Sequence, residues 1–371
     1  MRRLSLLLTL LVALTVESLA CTSAIVTSQR SSEGVPLLWK HRDSSYSDTR
    51  VDHITSGKYA YTAVVMNKKN VKVSYAGINE KGFGIINTAT KNLPPSDIEE
   101  YKACTRKEIG WRTMWHDALC NCATVDDFEE FIRNTKRKHK FGTNFAVGDA
   151  SGAVAYFEIG DLYYKRFDAT DRKEGFDIRS NFSFSGLDEK RGPSIRRYDV
   201  IMNEMSAHEG KFTPQQFFTY SRSYNSCAYG DILANDKEYV CSNHAVPRST
   251  TVGAFVVVCD AKCPRMLVTI GHSVPGTAVP VYVQAKHDIP QCVKGDAMLN
   301  LSREFMKKAY LKVKGKGHIL QKDVVRDVLK IKQPKIVLPQ QMPENIEKFN
   351  AKIDKQFAKY EKKVRKVLAK Y

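Results

Sequence analysis

Cys21 is the residue whose type and position most clearly suggest covalent chemistry. If the chain is cleaved before Cys21, this residue carries both a thiol and an α-amine. The pKa of an α-amine is about 7.7–8.0, so near neutral pH much of it can accept the thiol proton. Cys21 could then act as a nucleophile that needs no separate histidine. Position alone leaves another interpretation open, in which Cys21 only begins the mature chain or joins a disulfide.

Residues 1–20 have the pattern of a secretory signal peptide. Two arginines follow the first methionine, residues 4–14 form a mainly apolar run, and Ser18 and Ala20 are small residues just before Cys21. We therefore expect an exported protein, periplasmic or extracellular, whose mature chain starts at Cys21. A lipoprotein signal also ends before a cysteine, but the pattern here fits ordinary signal peptidase better.

A charged cluster follows Cys21 at a distance that a hairpin can bridge. Residues 22–28 are β-rich, a turn-like SSEGVP segment follows, and a second apolar run ends in residues 40–43 (KHRD). Antiparallel pairing would bring this cluster back to Cys21. A carboxylate there could orient the α-ammonium, and a cation could stabilise the thiolate. The alternative is a solvated strand end; His41, within the cluster, could also line the site.

Four further motifs appear in order along the chain: AGINEKGFGIIN, TNFAVGDASGAVAYFEI, RSNFS and GPSIRRYD, at residues 76–87, 143–159, 179–183 and 192–199. With the opening segment, they resemble the N-terminal nucleophile (Ntn) hydrolases that act on linear amide C–N bonds. This group includes choloylglycine hydrolases, penicillin V acylases, acid ceramidase and the acyl-coenzyme A:6-aminopenicillanic acid acyltransferases. The resemblance extends over roughly residues 21–283.

The resemblance implies roles for individual residues. It makes Cys21 the nucleophile and Asp43 the acidic residue beside the α-amine. Asn181 matches the amide of the oxyanion hole, and Asn87 lies where some members have a second polar contributor. Arg197 matches the arginine near the nucleophile, with its neighbour Arg196 as the weaker alternative.

The cation that precedes Asp43 departs from the family pattern. Bile-salt and penicillin V members have Arg-x-x-Asp at this point, whereas this chain has Lys40 at the arginine position and Arg42 next to Asp43. Either cation could serve the nucleophile, so both are candidate auxiliary residues. The departure favours the acyltransferase-like branch over a bile-salt hydrolase proper.

The resulting functional expectation is an enzyme that cleaves a linear, non-peptide amide of a small molecule through a thioester on Cys21. Transfer of the acyl group to another amine, and a lipid-anchored non-catalytic envelope protein, are the alternatives. No cofactor is expected. No metal site is expected either, because the sequence lacks paired His or Cys spacing typical of metal ligands.

Short turns between successive β-rich runs indicate antiparallel sheets, and helical patterns separate groups of them. The expected fold class is α+β, and the resemblance implies an αββα sandwich of two antiparallel sheets flanked by helices. We expect a signal peptide at 1–20, the hydrolase domain at 21–295 and a helical extension at 296–371. β-rich runs lie at 22–28, 35–42, 60–66, 70–76, 83–89, 143–148, 153–159, 162–168, 251–259 and 265–271; helical patterns lie at 105–121, 125–138, 194–208 and 213–222.

The extension carries most of the net charge. The whole chain has 58 Lys and Arg against 40 Asp and Glu, a formal charge of +18, and residues 296–371 alone hold 20 basic against 8 acidic residues. Apolar residues recur at helical spacing from Phe349 to Leu368, which predicts an amphipathic helix. This helix could pack on the domain or on a partner chain, including a second copy, or it could bind an anionic envelope surface. Nucleic acid is not expected as a partner of an exported protein.

The sequence has nine cysteines, and export would permit disulfides among them. Cys227 with Cys241 and Cys259 with Cys263 are plausible pairs, although connectivity cannot be read from sequence.

Overall fold

A computed structural model describes residues 21–68, 71–240, 244–335 and 337–371. The segment interpreted as a signal peptide lies outside these residues. The strands, in chain order, are β1 Cys21–Val26, β2 Leu37–Asp43, β3 Thr49–Ile54, β4 Tyr61–Lys68, β5 Val71–Asn79, β6 Gly84–Ala89, β7 Lys107–Ile109, β8 Thr135–Arg137, β9 Thr143–Gly148, β10 Val154–Ile159, β11 Tyr164–Asp168, β12 Phe176–Arg179, β13 Asn225–Ser226, β14 Gly230–Asp231, β15 Thr251–Val258, β16 Arg265–Ile270, β17 Val279–Tyr282, β18 Tyr310–Val313 and β19 Gly317–Leu320.

The α-helices alternate with groups of strands rather than with single strands. They are α1 Ile98–Ala103, α2 Trp111–Asn121, α3 Val125–Arg133, α4 Ile195–Ser206, α5 Gln216–Tyr220, α6 Gln291–Lys294, α7 Ala297–Ala309, α8 Lys322–Leu329 and α9 Ile346–Leu368. Short 3₁₀ turns lie at Ala169–Asp171, Asp188–Lys190, Gly192–Ser194 and Val283–Ala285.

Two large sheets form the centre of the molecule. The first sheet has the strand order β12-β1-β2-β15-β16-β17, and the second has the order β11-β10-β9-β6-β5-β4-β3. The strand pairs within both sheets are antiparallel. Most neighbours are joined by hairpins, as the short turns in the sequence predict.

An apolar cluster fills the space between the two sheets. It includes Ile25 and Leu38 of the first sheet and Val64 and Ala76 of the second, all fully or almost fully buried. Alternate residues of each strand point to opposite faces, so each sheet has a second face to cover.

Helices cover these outer faces. Ile201 of α4 and Phe217 of α5 pack with Trp39 on the first sheet, whereas Trp115 of α2 and Phe128 of α3 pack on the second. The layers are therefore helix, sheet, sheet and helix, which confirms the predicted αββα architecture.

All four predicted helices are shorter than their sequence patterns, and for two of them a strand pairing explains the difference. The pattern at 105–121 forms a helix only from Trp111, because Lys107–Ile109 pairs with Thr135–Arg137 as a short parallel sheet. The same pairing ends α3 at Arg133, although the pattern continues to residue 138. Three strands of the two large sheets, β3, β12 and β17, lie outside the predicted runs. The short strands β7, β8, β13, β14, β18 and β19 also lie outside them.

The sequence predicts a helical extension at 296–371, but this segment is not helical throughout. A hairpin of β18 and β19 interrupts it, with Tyr310 opposite Leu320. The turn places Gly315 at φ +80° and Gly317 at φ +97°, a backbone conformation that glycine adopts without strain. Two glycines in a lysine-rich run were thus the local signal for a turn.

The long helix α9 packs its apolar side against the protein, as its spacing predicts. Ile353, Phe357, Tyr360, Val364 and Leu368 are buried, and α9 packs on α6, α7 and α8, which extend the apolar cluster that begins between the sheets. Among the described residues, no helix has both the length and the apolar character needed to cross a bilayer.

The proposed pairing of Cys259 with Cys263 is wrong. Both thiols are free: Cys259 lies in the cluster between the sheets, whereas Cys263 lies in the cluster on the helical side of the first sheet. The chain turns between them, so their side chains enter different layers. Cys227 is exposed, and Cys241, its suggested partner, lies outside the described residues.

Candidate active site

Cys21 begins β1, an inner strand of the first sheet that is held between β12 and β2. The antiparallel register places Cys21 opposite Arg42 and Thr22 opposite His41. The predicted hairpin therefore does return the charged cluster to Cys21. Cys21 is only 6% exposed, so its position is fixed by backbone pairing and burial together.

The backbone of Cys21 lies within a network of hydrogen bonds to two predicted site residues. Its nitrogen donates to Asn181 Oδ1 over 2.7 Å, and the same oxygen accepts a 2.7 Å hydrogen bond from Arg197 Nη2. Arg197 Nη1 also donates to the carbonyl oxygen of Cys21 at 3.2 Å. Asn181 Nδ2 donates to the carbonyl oxygen of Ala89 at 2.7 Å, which connects this network to the second sheet.

Asp43 ends β2 and is completely buried. Its Oδ1 accepts a 2.9 Å hydrogen bond from the hydroxyl of Thr251 and lies 3.5 Å from His41 Nε2. Its Oδ2 faces two guanidinium groups, with Arg197 Nη1 at 3.6 Å and Arg248 Nε at 3.8 Å. Asp43 is therefore a carboxylate surrounded by donors and cations.

These neighbours decide the charge of Asp43. Burial raises the pKa of its carboxyl, but His41, Arg248 and Arg197 together outweigh burial, so the pKa lies below its ordinary value. The pKa of Arg197 is lowered to about 10 by burial and by the nearby Arg248. At neutral pH the geometry thus favours a charged Asp43 beside a charged Arg197.

Lys40 lies on the face of β2 that points toward the second sheet. Its Nζ donates to Asn87 Oδ1 at 2.7 Å and to the carbonyl oxygen of Tyr75 at 3.0 Å. The ammonium also lies 5.7 Å from the ring centroid of Tyr75 and 5.4 Å from that of Trp115. The pKa of Lys40 is lowered from 10.5 to about 7, chiefly by burial; Cys21 acts to raise it, and the neighbouring Arg42 acts to lower it.

Arg42 is directly opposite Cys21 in the strand register. Its guanidinium carbon lies 3.8 Å from the ring centroid of Tyr75, a close cation–π contact. Burial lowers the pKa of Arg42, although the interactions with Tyr75 and Cys21 act in the opposite direction. The structure thus brings both candidate cations, Lys40 and Arg42, to the same side as Cys21.

A cavity of about 220 Å³ opens beside Cys21. One end is polar, and the rest of the wall is dominated by aromatic rings and small residues. Such a shape suits a ligand that has a polar group at one end and an apolar body. The lining residues are Cys21, Lys40, Arg42, Asp43, Tyr75, Asn87, Ala89, Trp115, Phe141, Gly142, Thr143 and Phe145.

All seven residues singled out from the sequence meet around this cavity or in the network behind it. Asn87 joins the cavity wall and donates from Nδ2 to Thr143 Oγ1 at 3.1 Å. Arg196 does not take part: its Nη1 lies 2.8 Å from His244 Nε2 near the surface. His41 is fully buried beside Thr251 rather than in the cavity lining.

Sequence reasoning missed Arg248 and Thr251. Both follow Asp43 by more than 200 residues, and they reach it because β15 pairs with β2 and places Thr251 opposite Asp43. The signal available was the β-rich run at 251–259, which identifies the strand but not the role of the Thr251 hydroxyl. Among the described residues, no group of three or more His, Cys, Asp or Glu side chains could hold a metal ion.

Comparison with known proteins gives matches among solved structures only. No family model and no curated protein matches the chain. A mutant of the conjugated bile acid hydrolase from Clostridium perfringens matches at 14% identity and TM-score 0.45, over 72% of this chain and 93% of that one. Penicillin V acylase from Agrobacterium tumefaciens matches at 14% identity and TM-score 0.43, over 71% and 86% of the two chains.

A third match is the Caenorhabditis elegans ortholog of N-acylethanolamine-hydrolyzing acid amidase. Its identity is 12% and its TM-score 0.36, over 64% of this chain and 93% of that one. The names of these three structures describe a conjugated bile acid hydrolase, a penicillin V acylase and an N-acylethanolamine-hydrolyzing acid amidase.

Proposed function

We propose that this protein is an exported N-terminal-cysteine amidohydrolase, which cleaves a linear, non-peptide amide C–N bond through a thioester on Cys21. One observation carries the proposal. The nitrogen of Cys21 is held by Asn181 Oδ1 at 2.7 Å, within a buried polar network at the wall of a ligand-sized cavity. Cleavage before Cys21 would convert this nitrogen into an α-amine at the same place.

The first half of the reaction forms the thioester. The α-amine takes the thiol proton, and the sulfur attacks the carbonyl carbon of the substrate amide. A C–S bond forms, and the carbonyl oxygen becomes negatively charged. The C–N bond then breaks as the α-ammonium returns its proton to the departing amine nitrogen.

The second half releases the acyl group. A water molecule attacks the thioester carbon and gives a proton to the α-amine. The C–S bond breaks, the carboxylic acid leaves, and the proton returns to the sulfur. Transfer to an amine follows the same steps, with the amine nitrogen in place of the water oxygen.

The residues around Cys21 have separate proposed roles in these steps. Asp43, kept ionised by its donors, would balance the positive charge of the α-ammonium. Asn181 and Asn87 are the side-chain amides proposed to stabilise the oxyanion, and the loss of one such donor costs about 10²–10³ in kcat in other enzymes. Lys40 and Arg42 would favour the thiolate from the side that faces the cavity.

The test has two parts. Intact-mass measurement of the secreted protein should give a chain that starts at Cys21 with an unmodified amine. The Cys21→Ala and Cys21→Ser variants should lose hydrolysis on a panel of N-acyl amides, whereas Cys227→Ser, which changes an exposed thiol, should retain it. Residues still attached before Cys21 in active protein, or full activity in Cys21→Ala, would defeat the proposal.

An assay with an added acceptor and the intact-mass measurement separate hydrolysis from acyl transfer and from lipid anchoring. Addition of an amine acceptor should divert product from acid to amide if acyl transfer dominates. A diacylglyceryl mass on Cys21 would instead indicate a lipid-anchored protein.

We further propose that α9 binds the headgroups of anionic lipids. Its two acidic residues beyond the first turn face inward: Asp354 accepts backbone hydrogen bonds from Gln291 and Cys292, and Glu361 pairs with Arg365. The outer face is left with lysines at helical spacing, which suits electrostatic attachment to an anionic surface. The exposed lysines are Lys352, Lys355, Lys359, Lys362, Lys363, Lys366 and Lys370.

Vesicle sedimentation tests this second proposal. Vesicles with an anionic lipid should bind the protein at low salt and release it as salt rises, because exposed charges are screened. Changing Lys355, Lys359, Lys362 and Lys366 to Gln should abolish binding, whereas changing an equal number of lysines outside α9 should not. Equal binding of both variants, or salt-independent binding, contradicts the proposal.

A further inference from the structure

A second cavity lies on the other side of Asp43 from the nucleophile. It has a volume of about 520 Å³ and is bounded by the loop after β2, the start of β15, helix α7 and the β18–β19 hairpin. We call it the hydroxyl groove. It joins the ends of central strands to the basic C-terminal segment, so it exists only because that segment folds back on the sheet.

The lining of the hydroxyl groove has a consistent chemistry. Seven of its side chains carry hydroxyls, four are Lys, Arg or His, and none of those that line it is Asp or Glu. The cationic side chains are Arg303 and Lys307 of α7 and Lys312 and His318 of the hairpin. Hydroxyls and cations are the groups that donate hydrogen bonds to anion oxygens.

Some polar groups of the groove have no partner within the described part of the protein. Lys307 and Lys312 are exposed, and among the described residues their ammonium groups have neither an ion pair nor a hydrogen bond. The hydroxyl oxygen of Thr250 is buried and has no hydrogen-bond partner in that part of the chain. A buried polar atom without a partner costs free energy that a ligand oxygen could recover.

The groove and the nucleophile cavity share one wall. Thr251 lines the groove and donates its hydroxyl to Asp43 Oδ1 at 2.9 Å, while Asp43 lines the other cavity. Ser44, also in the groove, is the next residue after Asp43. A ligand in the groove would therefore lie behind the carboxylate that faces Arg197 and Arg248.

We propose that the hydroxyl groove binds the phosphate group of a small phosphorylated molecule. A phosphate monoester carries about −1.5 to −2 charges at neutral pH and offers three acceptor oxygens. That charge and acceptor count match the clustered cations and hydroxyls better than a single carboxylate, which has two oxygens and one charge. This site needs no contribution from Cys21, so it stands independently of the proposed hydrolase activity.

Phosphorus-31 NMR titration at low ionic strength tests the proposal on the full-length mature protein. The probes are inorganic phosphate and glycerol 3-phosphate, with malonate as a competing dicarboxylate. The test variant changes Lys307 and Lys312 to Gln. The matched control changes Lys308 and Lys314, which lie on the same two elements but do not line the groove.

The expected result is saturable binding of both phosphate probes to the wild type. The Lys307→Gln/Lys312→Gln variant should bind at least about tenfold more weakly, since two charge-assisted hydrogen bonds are lost. The control should stay within about threefold of the wild type. Thermal unfolding of both variants at the wild-type temperature would show that the fold is kept.

Three outcomes overturn the proposal. One is absence of saturable phosphate binding, and another is an equal loss in the groove variant and the control. The third is displacement of phosphate by equimolar malonate with a tighter affinity, which would assign the groove to carboxylates. Loss of hydrolysis in Cys21→Ala with phosphate binding unchanged would separate this site from the catalytic one.

Discussion

Arg197 donates a 2.7 Å hydrogen bond to the same side-chain oxygen of Asn181 that accepts the N–H of Cys21. The three groups come from the segment after β12, the first turn of α4 and the start of β1. Arg197 is fully buried and also faces Asp43. We therefore expect Arg197 to act as a positioning residue, which sets the orientation of Asn181 and the charge beside Cys21.

Replacement of Arg197 by Gln should therefore reduce catalysis more than substrate binding. The Asn181 amide would lose its fixed orientation, and we expect kcat to fall about 10²–10³-fold while KM changes little. Steady-state kinetics on the best amide of the panel gives both values.

The neighbouring arginine provides the control for this variant. Arg196→Gln removes a contact with His244 near the surface, so its kcat should stay close to that of the wild type. Breaking the buried charge network also costs about 3–5 kcal/mol of folding free energy, so unfolding is measured first. A folded Arg197→Gln protein with unchanged kcat would refute the positioning role.

Lys40 should make stability depend on pH in the alkaline range. Its pKa is about 7 in the folded protein and 10.5 ordinarily. Between these values the unfolded chain binds a proton that the folded chain does not, so the free energy of unfolding rises with pH in that window. Below about pH 7 both states are protonated, and the destabilising effect of the buried charge is fully present.

Denaturant unfolding of wild type and Lys40→Met between pH 7.5 and 9.5 measures this effect. The difference in unfolding free energy between the two proteins should change by up to about 1.4 kcal/mol per pH unit. Lys359→Met, which changes an exposed lysine of α9, should show no such dependence. Parallel pH curves for wild type and Lys40→Met would show that Lys40 keeps its ordinary pKa.

Phe357 tests whether residues 296–371 fold apart from the rest. Its side chain is 2% exposed and belongs to the apolar cluster that continues from the space between the sheets to the C-terminal helices. Phe357→Ala should lower the free energy of unfolding by about 3–5 kcal/mol in a single transition of the whole chain. The exposed neighbour changed in Lys359→Ala should cost no more than about 0.5 kcal/mol. Two separate transitions, with only the minor one affected, would indicate an independent extension.

The local part of the site could be predicted from the sequence, because it depends on one hairpin. Two β-rich runs on either side of a turn predict that Lys40 and Asp43 return to Cys21. The side chains of Lys40 and Asp43 lie on opposite faces of β2, because side chains alternate between the two faces along a strand. The motif around Asn181 added a residue 160 positions away, but only through its resemblance to a family.

The remaining contacts of the site depend on strand pairings that no local sequence pattern predicts. Thr251 reaches Asp43 because β15 lies next to β2, a neighbour relationship that spans some 200 residues. The pairing of Cys259 with Cys263 failed for a related reason, since closeness in sequence did not reveal that the side chains enter different layers. In the extension, lysine-rich composition favoured helix, whereas Gly315 and Gly317 directed a turn.

One contiguous apolar cluster contains both Ile25 of the first strand and Leu368 of the last helix. A chain that ends before α9 therefore leaves the part of this cluster on α6, α7 and α8 exposed to solvent. A nascent or prematurely terminated chain that lacks α9 would be a substrate for chaperones and proteases rather than a weakened enzyme. Early stop codons should consequently reveal themselves as missing protein, not as reduced turnover.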